Sequence, residues 1–409
     1  MRLFLIIIVL GISAQTFGQR LAKYNVYLRS DAGTDTMYDG RIIRVFGIPH
    51  RLSESPHIPA KTIYCNEGDT LDLHALSISQ GDHHTVHLHG LDATTPNDGD
   101  PATSFWLSHM QDTDYTVIAS HAGTYLYHCH IADVVHVQMG MYGLIVVRPK
   151  DGSKTAWTGG PSFDQSYNWL FSEVDPLWHD SIPPHDPAKD TVHIPAYKPK
   201  YFLINGKSET QLSSDDSIRI TSNLGNIVYL RTASIGFFYE RIIFPPWIKA
   251  RKIDSDGRPF DQTIESDTVE IAPGERYGVM LEATKENSDL IKVEFVNMNS
   301  DSVWSTQTIP ISFSTSSVES KLSENNELSI FPNPAETAIT ISAQNYNGSE
   351  ANIEIINSLG ETIHTAHGAL PIRIDLRGIA DGSYSVSIHP VNKTIPIHKQ
   401  LIIVGAVNK

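Results

Sequence analysis

The 409-residue sequence predicts an all-β protein with two β-sandwich or barrel domains and a smaller β domain near its C-terminal end. From Lys23 to Pro149 the chain shows short runs of alternating apolar and polar residues, and no long helical period. Gly, Pro, Asn and Asp separate these runs, as expected for turns between strands. The runs that predict strands most clearly in this part are residues 41–46, 70–76, 116–119 and 142–147.

The first 19 residues are predicted to be a signal peptide. Arg2 provides the positive charge, residues 3–12 form a short apolar core, and small or polar residues follow through Ala14 and Gly18. The core is too short for a stable membrane-spanning helix, and no later stretch is long and apolar enough. We therefore expect an exported, soluble mature protein, with a membrane anchor as the alternative.

The composition divides the remaining chain into three domains. We predict a first domain at 20–150, a second β domain at 160–313, a Ser/Glu/Asn-rich linker at 314–326 and a last domain at 327–409. Residues 150–165 are loop-rich and separate the first two domains. Strands of the second domain are expected near residues 168–171, 217–221, 227–231 and 277–283.

The formal net charge is −15 and the sequence contains no basic run. Partners with a dense negative charge are attracted by clusters of Lys and Arg. The charge pattern therefore argues against nucleic acid and against anionic membrane surfaces as partners.

The two cysteines, Cys65 and Cys129, have different surroundings. Export would allow a disulfide between them. Cys129, however, lies between His128 and His130, which favours a thiolate metal ligand, and a ligand cannot also be bridged. Cys65 is then expected to be a buried free thiol.

The histidines are clustered. Twelve of the 19 histidines lie between His50 and His136, and none lies between residues 194 and 363. Two local motifs stand out, His84-Thr-Val-His87-Leu-His89-Gly90 and Tyr127-His128-Cys129-His130, the second followed by His136 and Met141. Clustered His, Cys and Met indicate a metal site.

Strand geometry sorts these side chains into two sets, because successive side chains of a strand point to opposite faces. A thiolate, two imidazoles and a thioether form the ligand set of a type 1 (blue) copper centre. Here that set is His84, Cys129, His136 and Met141. The opposite face carries only imidazoles and suits type 2 or type 3 copper; its members are His87, His89, His128 and His130.

Each motif taken alone has a simpler interpretation. A single His-x-His is usually a surface pair or an unselective zinc or nickel binder, and His-Cys-His alone is compatible with zinc. Met139 and Met141 alone would fill a core. The occurrence of all these motifs, in this order and within 60 residues, favours a copper site.

At these residues the chain resembles the multicopper oxidase and copper nitrite reductase superfamily. The segments 84–90, 123–130 and 140–143 match its two ligand segments. The resemblance implies cupredoxin-like Greek-key domains and assigns His87, His89, His128 and His130 to type 2 or type 3 copper. In the second domain, residues 201–207, 256–257 and 271–277 resemble the non-terminal domains of such oxidases.

Two departures from the family pattern matter. The spacing from Cys129 to His136 is two residues longer than in laccases, which a loop insertion would absorb. A trinuclear copper cluster needs about eight histidines from two domains, whereas this chain offers four, and residues 236–243 lack the expected His-x-His. A homo-oligomer in which a second copy supplies the missing ligands is one solution, and a site with one or two coppers is another.

The C-terminal segment resembles the sorting domain of type IX secretion. Residues 328–335, 353–360, 374–376 and 382–384 carry this resemblance. It implies passage across the outer membrane by the type IX machinery, and either release into the medium or attachment at the cell surface. An ordinary binding module is the alternative.

Together these patterns predict a secreted, multicopper-oxidase-like oxidoreductase. A small molecule or a metal ion would donate electrons to type 1 copper, and a histidine-bound copper site would reduce dioxygen. One alternative is a copper nitrite reductase, with nitrite as the acceptor. The other is a non-catalytic electron carrier or copper-binding protein that has type 1 copper alone.

Overall fold

The computed structural model describes residues 20–181, 194–315, 329–333, 335, 337–342, 348–357, 362–379, 382–390 and 397–403. The chain divides into two compact units, residues 1–315 and 316–409. The predicted signal peptide and nearly all of the predicted linker lie outside the described residues. Within the described ranges, no helix combines the length and the apolar character that crossing a bilayer requires.

The first unit begins with a β-sandwich between residues 20 and 150, all of which are described. Its strands are β1 (Leu21–Thr36), β2 (Ile42–Gly47), β3 (Ala60–Asn66), β4 (Thr70–Ser77), β5 (His87–His89), β6 (Asp112–Ile118), β7 (Gly123–His128) and β8 (Tyr142–Arg148). One sheet has the order β2-β1-β4-β6 and the other the order β3-β8-β7-β5. A short helix, α1 (Asp133–Gln138), connects β7 to β8.

Strand β8 is apolar on both faces. Its residues Tyr142–Val147 are all buried, and the strand pairs in parallel with β3 and antiparallel with β7. On the inner side, Ile145 and Val147 join the core of the first sandwich. On the outer side, Tyr142 and Leu144 pack against Leu170 and other apolar residues of the following sandwich. The continuous apolar run therefore marks the strand that lies between two cores.

The second sandwich occupies the rest of the first unit. Its strands are β9 (Gln165–Val174), β10 (Tyr201–Ile204), β11 (Ile220–Asn223), β12 (Ile227–Ser234), β13 (Tyr239–Ile243), β14 (Ile248–Ser255), β15 (Arg258–Glu265), β16 (Thr268–Ile271), β17 (Arg276–Ala283), β18 (Asn287–Asn297) and β19 (Ser302–Ser314). Its sheets have the orders β10-β9-β12-β17-β14-β15 and β11-β19-β18-β13-β16. Two short helices, α2 (Pro176–Ser181) and α3 (Thr210–Ser214), flank β10.

The predicted strands of this sandwich are present, with one displacement. The strand expected at 217–221 is β11, which begins at Ile220 and pairs in parallel with β19. The preceding residues turn instead, because the Asp215 carboxylate accepts hydrogen bonds from the Ser217 amide at 2.8 Å and the Ser217 hydroxyl at 2.6 Å.

The second unit is a small β-sandwich with its own core. Its described strands are β20 (Ser329–Phe331), β21 (Ala338–Ser342), β22 (Glu350–Ile356), β23 (Thr362–Ala369), β24 (Ile372–Asp375), β25 (Gly382–Pro390) and β26 (Ile397–Ile403). They form sheets of order β20-β21-β24 and β23-β22-β25-β26. Alternate residues of β22, Ala351, Ile353 and Ile355, are buried in this core, which is the period of a strand with one covered face.

Two carboxyl groups are buried together in the second sandwich. Glu173 on β9 accepts hydrogen bonds from the Phe237 and Phe238 amides at 2.8 and 3.3 Å and from the Tyr197 hydroxyl at 3.3 Å. The side-chain oxygens of Glu240 on β13 have no hydrogen-bond partner among the described residues. Burial and the neighbouring Glu173 raise the pKa of Glu240 well above its usual value, and burial raises the pKa of Glu173 to about 7. The pair therefore holds a proton more tightly in the folded than in the unfolded chain.

The Glu240→Gln variant should change how stability depends on pH. A carboxyl group whose pKa is higher in the folded than in the unfolded chain stabilises the protein at pH values below its pKa in the unfolded chain. This stability is lost as the pH rises toward its pKa in the folded chain. Denaturant titrations at pH 4 and pH 8 should therefore show Glu240→Gln gaining stability relative to the wild type at the higher pH. The exposed Glu265→Gln variant is the control, and parallel pH profiles for Glu240→Gln and wild type would contradict the assignment.

Candidate metal centres

The first cluster brings His84, Cys129 and His136 together at the end of the first sandwich. All three are fully buried, and their potential ligand atoms lie within 4.8 Å of one another. The Cys129 Sγ atom is 3.3 Å from His136 Nδ1 and 3.6 Å from His84 Nδ1. Cys129 directly follows β7, and His84 pairs through its backbone with Leu107.

Met141 is joined to this cluster through its main chain. The Cys129 amide donates to the Met141 carbonyl at 3.0 Å, and the Met141 amide donates to the His136 carbonyl at 3.0 Å. The Met141 side chain is fully buried in the same core as Cys129. These two hydrogen bonds hold the backbones of the thiol, one imidazole and the thioether in a fixed relation.

A hydrogen bond to Ser79 fixes the orientation of the His84 ring. The Ser79 hydroxyl donates to the Leu28 carbonyl at 3.1 Å and accepts from the Ser30 amide at 2.8 Å. Because its proton is used, the hydroxyl is an acceptor for His84 Nε2, 2.9 Å away. His84 is thus protonated on Nε2, and the Nδ1 lone pair faces the Cys129 sulfur.

Helix α1 accounts for the long spacing between Cys129 and His136. The sequence predicts that a loop insertion absorbs the two extra residues. The structure instead has a six-residue helix there, which begins after Ala132. Ala132 adopts the left-handed conformation (φ 42°). The His136 amide donates to the Ala132 carbonyl at 3.0 Å, which closes the first turn. His136 is thereby directed at Cys129, with its ring 5.7 Å from that of Phe46.

The electrostatics of the first cluster favour a soft cation. Burial raises the pKa of the Cys129 thiol to about 12 and lowers the pKa of His84 well below its usual value. A thiolate is stable at this position only if a positive charge replaces its proton. A thiol, two neutral imidazoles and a thioether form a donor set that fits copper.

The second cluster contains His87, His89 and His128, whose ligand atoms also lie within 4.8 Å of one another. Strand β5 pairs with β7 so that His87 lies opposite His128. The His89 Nδ1 and His128 Nε2 atoms are 3.3 Å apart. Pairing of these two short strands therefore gathers three imidazoles on one face.

Backbone carbonyls determine which nitrogens face this cluster. His87 Nδ1 lies 2.7 Å from the Asp98 carbonyl, and His128 Nδ1 lies 3.0 Å from the Cys129 carbonyl. A carbonyl only accepts, so both Nδ1 atoms carry protons and both Nε2 atoms are left as ligands. Protein metal sites commonly orient imidazoles in this way.

His130 lies beside the second cluster rather than within its three-imidazole set. Its ring centroid is 5.0 Å from that of His87 and 5.6 Å from that of His128. Its Nδ1 atom is 3.9 Å from the Asp100 carboxylate. The His87 ring is as close to His130 as it is to His128 and His89, at 5.2 and 5.4 Å, so His130 is a fourth imidazole beside the set whose ligand atoms lie within 4.8 Å of one another.

The second sandwich presents a cation to the second cluster. A Cβ atom added to Gly274 would lie 3.3 Å from His89 Cε1, and one added to Gly90 would collide with the Arg276 guanidinium. The Arg276 guanidinium is held by the Asp256 carboxylate at 2.9 Å. Burial, together with this cation, lowers the pKa of His89 to about 4.

Several residues that shape the two clusters were not predicted from the sequence. Ser79 and Asp98 act through a hydroxyl and a backbone carbonyl, and Arg276 lies far from the histidines along the chain. Neither a hydroxyl near a turn nor a backbone carbonyl leaves a signal in a single sequence. The motif at 271–277 marks the position of Arg276 but not its approach to His89.

Comparisons with known proteins match two parts of the chain to protein families. Residues 55–152 match the family model described as multicopper oxidase, and residues 329–404 match that of the secretion system C-terminal sorting domain. The resemblance to copper oxidases and to a sorting domain is therefore confirmed.

Two curated relatives are similar over the first part of the chain. The copper-containing nitrite reductase of Neisseria meningitidis serogroup B is 33% identical over 133 residues, 32% of this chain and 32% of the relative. Laccase-25 of Oryza sativa subsp. japonica is 29% identical over 154 residues, 37% of this chain and 25% of the relative. The match thus spans a third or less of each relative's length, and both relatives are oxidoreductases.

Solved structures share the fold. The blue copper oxidase from Nitrosomonas europaea superposes with a TM-score of 0.57 at 24% identity, covering 72% of this chain and 86% of that one. The copper nitrite reductase from Nitrosomonas europaea gives 0.53 at 17% identity, covering 72% and 94%. The predicted all-β fold with cupredoxin-like domains is confirmed.

Removing the Ser79 hydroxyl should weaken metal binding at the first cluster. In Ser79→Ala the His84 ring loses the acceptor that fixes its Nδ1 atom toward Cys129, and such losses usually reduce metal affinity about 10- to 100-fold. The measurement is the dissociation constant for cobalt(II), followed by its thiolate charge-transfer band. Ser77→Ala is the matched control, because the buried Ser77 hydroxyl has no partner among the described residues. Equal affinities in the two variants would contradict this role of Ser79.

Proposed function

We propose that this protein is a secreted copper oxidoreductase of the multicopper oxidase kind. Its type 1 centre would accept single electrons from a small-molecule or metal-ion donor, and a histidine-bound copper site would reduce dioxygen. The observation that carries the proposal is the adjacency of Cys129 and His128, which belong to two different clusters, one fully buried and one partly buried. Adjacent residues on one strand end provide a short covalent connection between the clusters.

The ligand sets follow from the donor atoms. The type 1 copper would be held by His84 Nδ1, Cys129 Sγ, His136 Nδ1 and the Met141 thioether. The second copper would be held by His87, His89 and His128, with His130 beside them. Copper bound at such sites supplies one-electron oxidation and reduction. The type 2 or type 3 character of the second site is part of this proposal.

The protein's own residues give the clusters different environments. The proposed type 1 ligands are all fully buried, which excludes water and keeps the first site rigid; they are His84, Cys129, His136 and Met141. His87 and His89 are only partly buried, so a small acceptor can reach the second cluster. This asymmetry suits a division between electron uptake and reduction of an acceptor.

A copper nitrite reductase is the second candidate. The curated nitrite reductase relative and the three-imidazole cluster favour it, because a trinuclear cluster needs about eight histidines. In a dioxygen-reducing enzyme, a second copy of the chain would supply the missing ligands. Consumption of nitrite under argon, without consumption of dioxygen in air, would identify the nitrite reductase. A carrier with type 1 copper alone would consume neither.

The sorting domain indicates export of the protein. We propose that a signal peptide at 1–19 directs the chain across the inner membrane, and that the type IX machinery carries it to the surface or the medium. We propose three domains, at 20–150, 160–313 and 327–409, and a linker at 314–326. We do not expect nucleic acid to be a partner.

The Cys129→Ser variant should lose intense visible absorption after copper loading. The colour of a type 1 centre comes from the thiolate ligand, and a hydroxyl cannot replace it. The measurement is the absorption spectrum of copper-loaded protein. Cys65→Ser is the matched control and should keep the colour, since Cys65 is a buried free thiol outside both clusters. An unchanged blue colour in Cys129→Ser would refute the type 1 assignment.

Replacing both His128 and His130 by Ala should separate the two sites. The visible band should persist, because neither imidazole belongs to the first cluster, while reduction of the acceptor should fall at least 100-fold. Absorption spectra and oxygen or nitrite consumption measure the two effects. A control with His74→Ala and His121→Ala removes two imidazoles outside both clusters and should retain turnover. Retained turnover in the His128/His130 variant would place the reduction elsewhere.

A further inference from the structure

A cleft between the two sandwiches of the first unit is lined by residues other than the candidate metal ligands. Its walls are β3 and β8 of the first sandwich, β9 of the second, and the turns after β10 and before β11, and its volume is about 420 Å³. We call it the Tyr64 cleft, after the tyrosine of β3 that lines it. Small-molecule sites of roughly 300–1,000 Å³ commonly lie where two domains meet. The Tyr64 cleft thus has the position and the size of a site for a small ligand.

Two tyrosine rings in fixed positions line the Tyr64 cleft. The Arg148 guanidinium lies 4.5 Å from the centroid of the Tyr64 ring. The Tyr167 hydroxyl accepts from the Thr221 amide and donates to the Thr221 carbonyl, both at 3.3 Å. The apolar lining is formed by these two rings together with Pro59, Ala60, Leu144 and Leu170. One side of an occupant is therefore expected to be apolar.

The Tyr64 cleft also contains a hydrogen-bond acceptor without a partner. Asn168 lines the cleft, and its Oδ1 atom is buried with no hydrogen-bond partner in the part of the chain that the structure describes. Buried polar atoms of folded proteins nearly always have a partner. The Asn168 Nδ2 group donates to the Tyr64 hydroxyl at 3.3 Å, which leaves the hydroxyl its own proton to donate. An occupant is thus offered one acceptor and one donor on neighbouring side chains.

The polar wall of the Tyr64 cleft is held in place by Asn205. Its Nδ2 group donates to the Asn168 carbonyl at 2.7 Å, and its Oδ1 atom accepts from the Leu170 amide at 2.9 Å. The next residue, Gly206, has φ 76°, and a Cβ atom there would lie 2.1 Å from the Ile58 carbonyl oxygen. The turn is therefore pressed against the first sandwich. A site fixed in this way loses little conformational freedom when a ligand binds.

The two charged residues that line the Tyr64 cleft already have counter-ions. The Lys61 ammonium lies 2.5 Å from the Glu54 carboxylate, and the Asp216 carboxylate accepts from the Arg219 Nε group at 2.6 Å. A charged ligand would have to compete with these ion pairs, whereas an uncharged ligand leaves them intact. The electrostatics consequently favour a neutral occupant.

A saccharide combines the properties that this lining requires. Its C–H faces are apolar and pack on aromatic rings, its hydroxyl groups both donate and accept hydrogen bonds, and it carries no charge. We propose that the Tyr64 cleft binds a neutral monosaccharide or disaccharide, which packs on Tyr64 and Tyr167 and hydrogen-bonds to Asn168 Oδ1 and the Tyr64 hydroxyl. The inference is independent of the proposed function, since it uses no candidate metal ligand.

Saturation-transfer difference NMR on the mature protein tests the proposal. The probes are glucose, maltose, cellobiose and lactose; glucuronate is the charged counterpart, and N-acetyl-trialanine amide is a neutral molecule with amides in place of sugar hydroxyls. At least one of the four neutral sugars should bind saturably. Glucuronate and the peptide should bind at least tenfold more weakly than that sugar. Equal binding of the peptide would contradict a saccharide site, and equal binding of glucuronate would contradict selection of a neutral ligand.

Two variants locate the binding in the Tyr64 cleft. Tyr64→Phe keeps the ring and removes the hydroxyl, and Asn168→Ala removes the unpartnered acceptor. Each should raise the dissociation constant of the bound sugar about 3- to 10-fold, which corresponds to the loss of one neutral hydrogen bond. Should Asn168→Ala fail to fold by circular dichroism, the more conservative Tyr64→Phe decides.

Tyr38→Phe is the matched control. Tyr38 is 40% exposed, similar to Tyr64 at 38%, and it lies outside the residues that line the cleft. This variant should bind the sugar like the wild type. The proposal would be overturned if none of the four sugars bound saturably, or if Tyr64→Phe and Asn168→Ala bound the sugar as tightly as Tyr38→Phe.

Discussion

The pairing of β5 with β7 is the interaction on which the candidate site depends. It places His87 opposite His128 and leaves Cys129 as the next residue, turned toward the core. Because side chains alternate along a strand, one pair of strands serves both a thiol-containing cluster and an imidazole cluster. A shift of one residue in this register would exchange the two faces and destroy both clusters.

The second sandwich supports the strands and the helix that carry the candidate ligands. It covers the outer face of β8 with Leu170, Val174 and Leu203, so the strand after Met141 is held from both sides. The Gln138 side chain, two residues after His136, donates to the Glu173 carbonyl at 2.6 Å and accepts from the Asp175 amide at 2.9 Å. The loop that carries the last two proposed type 1 ligands is therefore fixed by contacts from the neighbouring sandwich, and Arg276 sets the charge beside His89.

The all-β fold could be predicted from the sequence, and strand alternation alone predicts that the candidate ligands lie on two opposite faces. Alternation along a strand is a local property, so the separation of Cys129 from His128 could be inferred without a structure. Contacts that depend on packing could not be. Helix α1 was expected as a loop insertion, because six residues are too few to show a helical period. Ser79 bonds to His84, five residues away, only because Leu28 and Ser30 position its hydroxyl.

We propose that one chain holds two chemically different copper sites. The most direct measurement is copper content per chain, combined with electron paramagnetic resonance, on the copper-loaded mature protein. We expect at least two coppers per chain. One should show the narrow hyperfine splitting of a thiolate-bound type 1 centre, and a further copper, bound by imidazoles, should give a type 2 signal. One copper per chain with a type 1 signal alone would contradict it and identify an electron carrier or copper-binding protein.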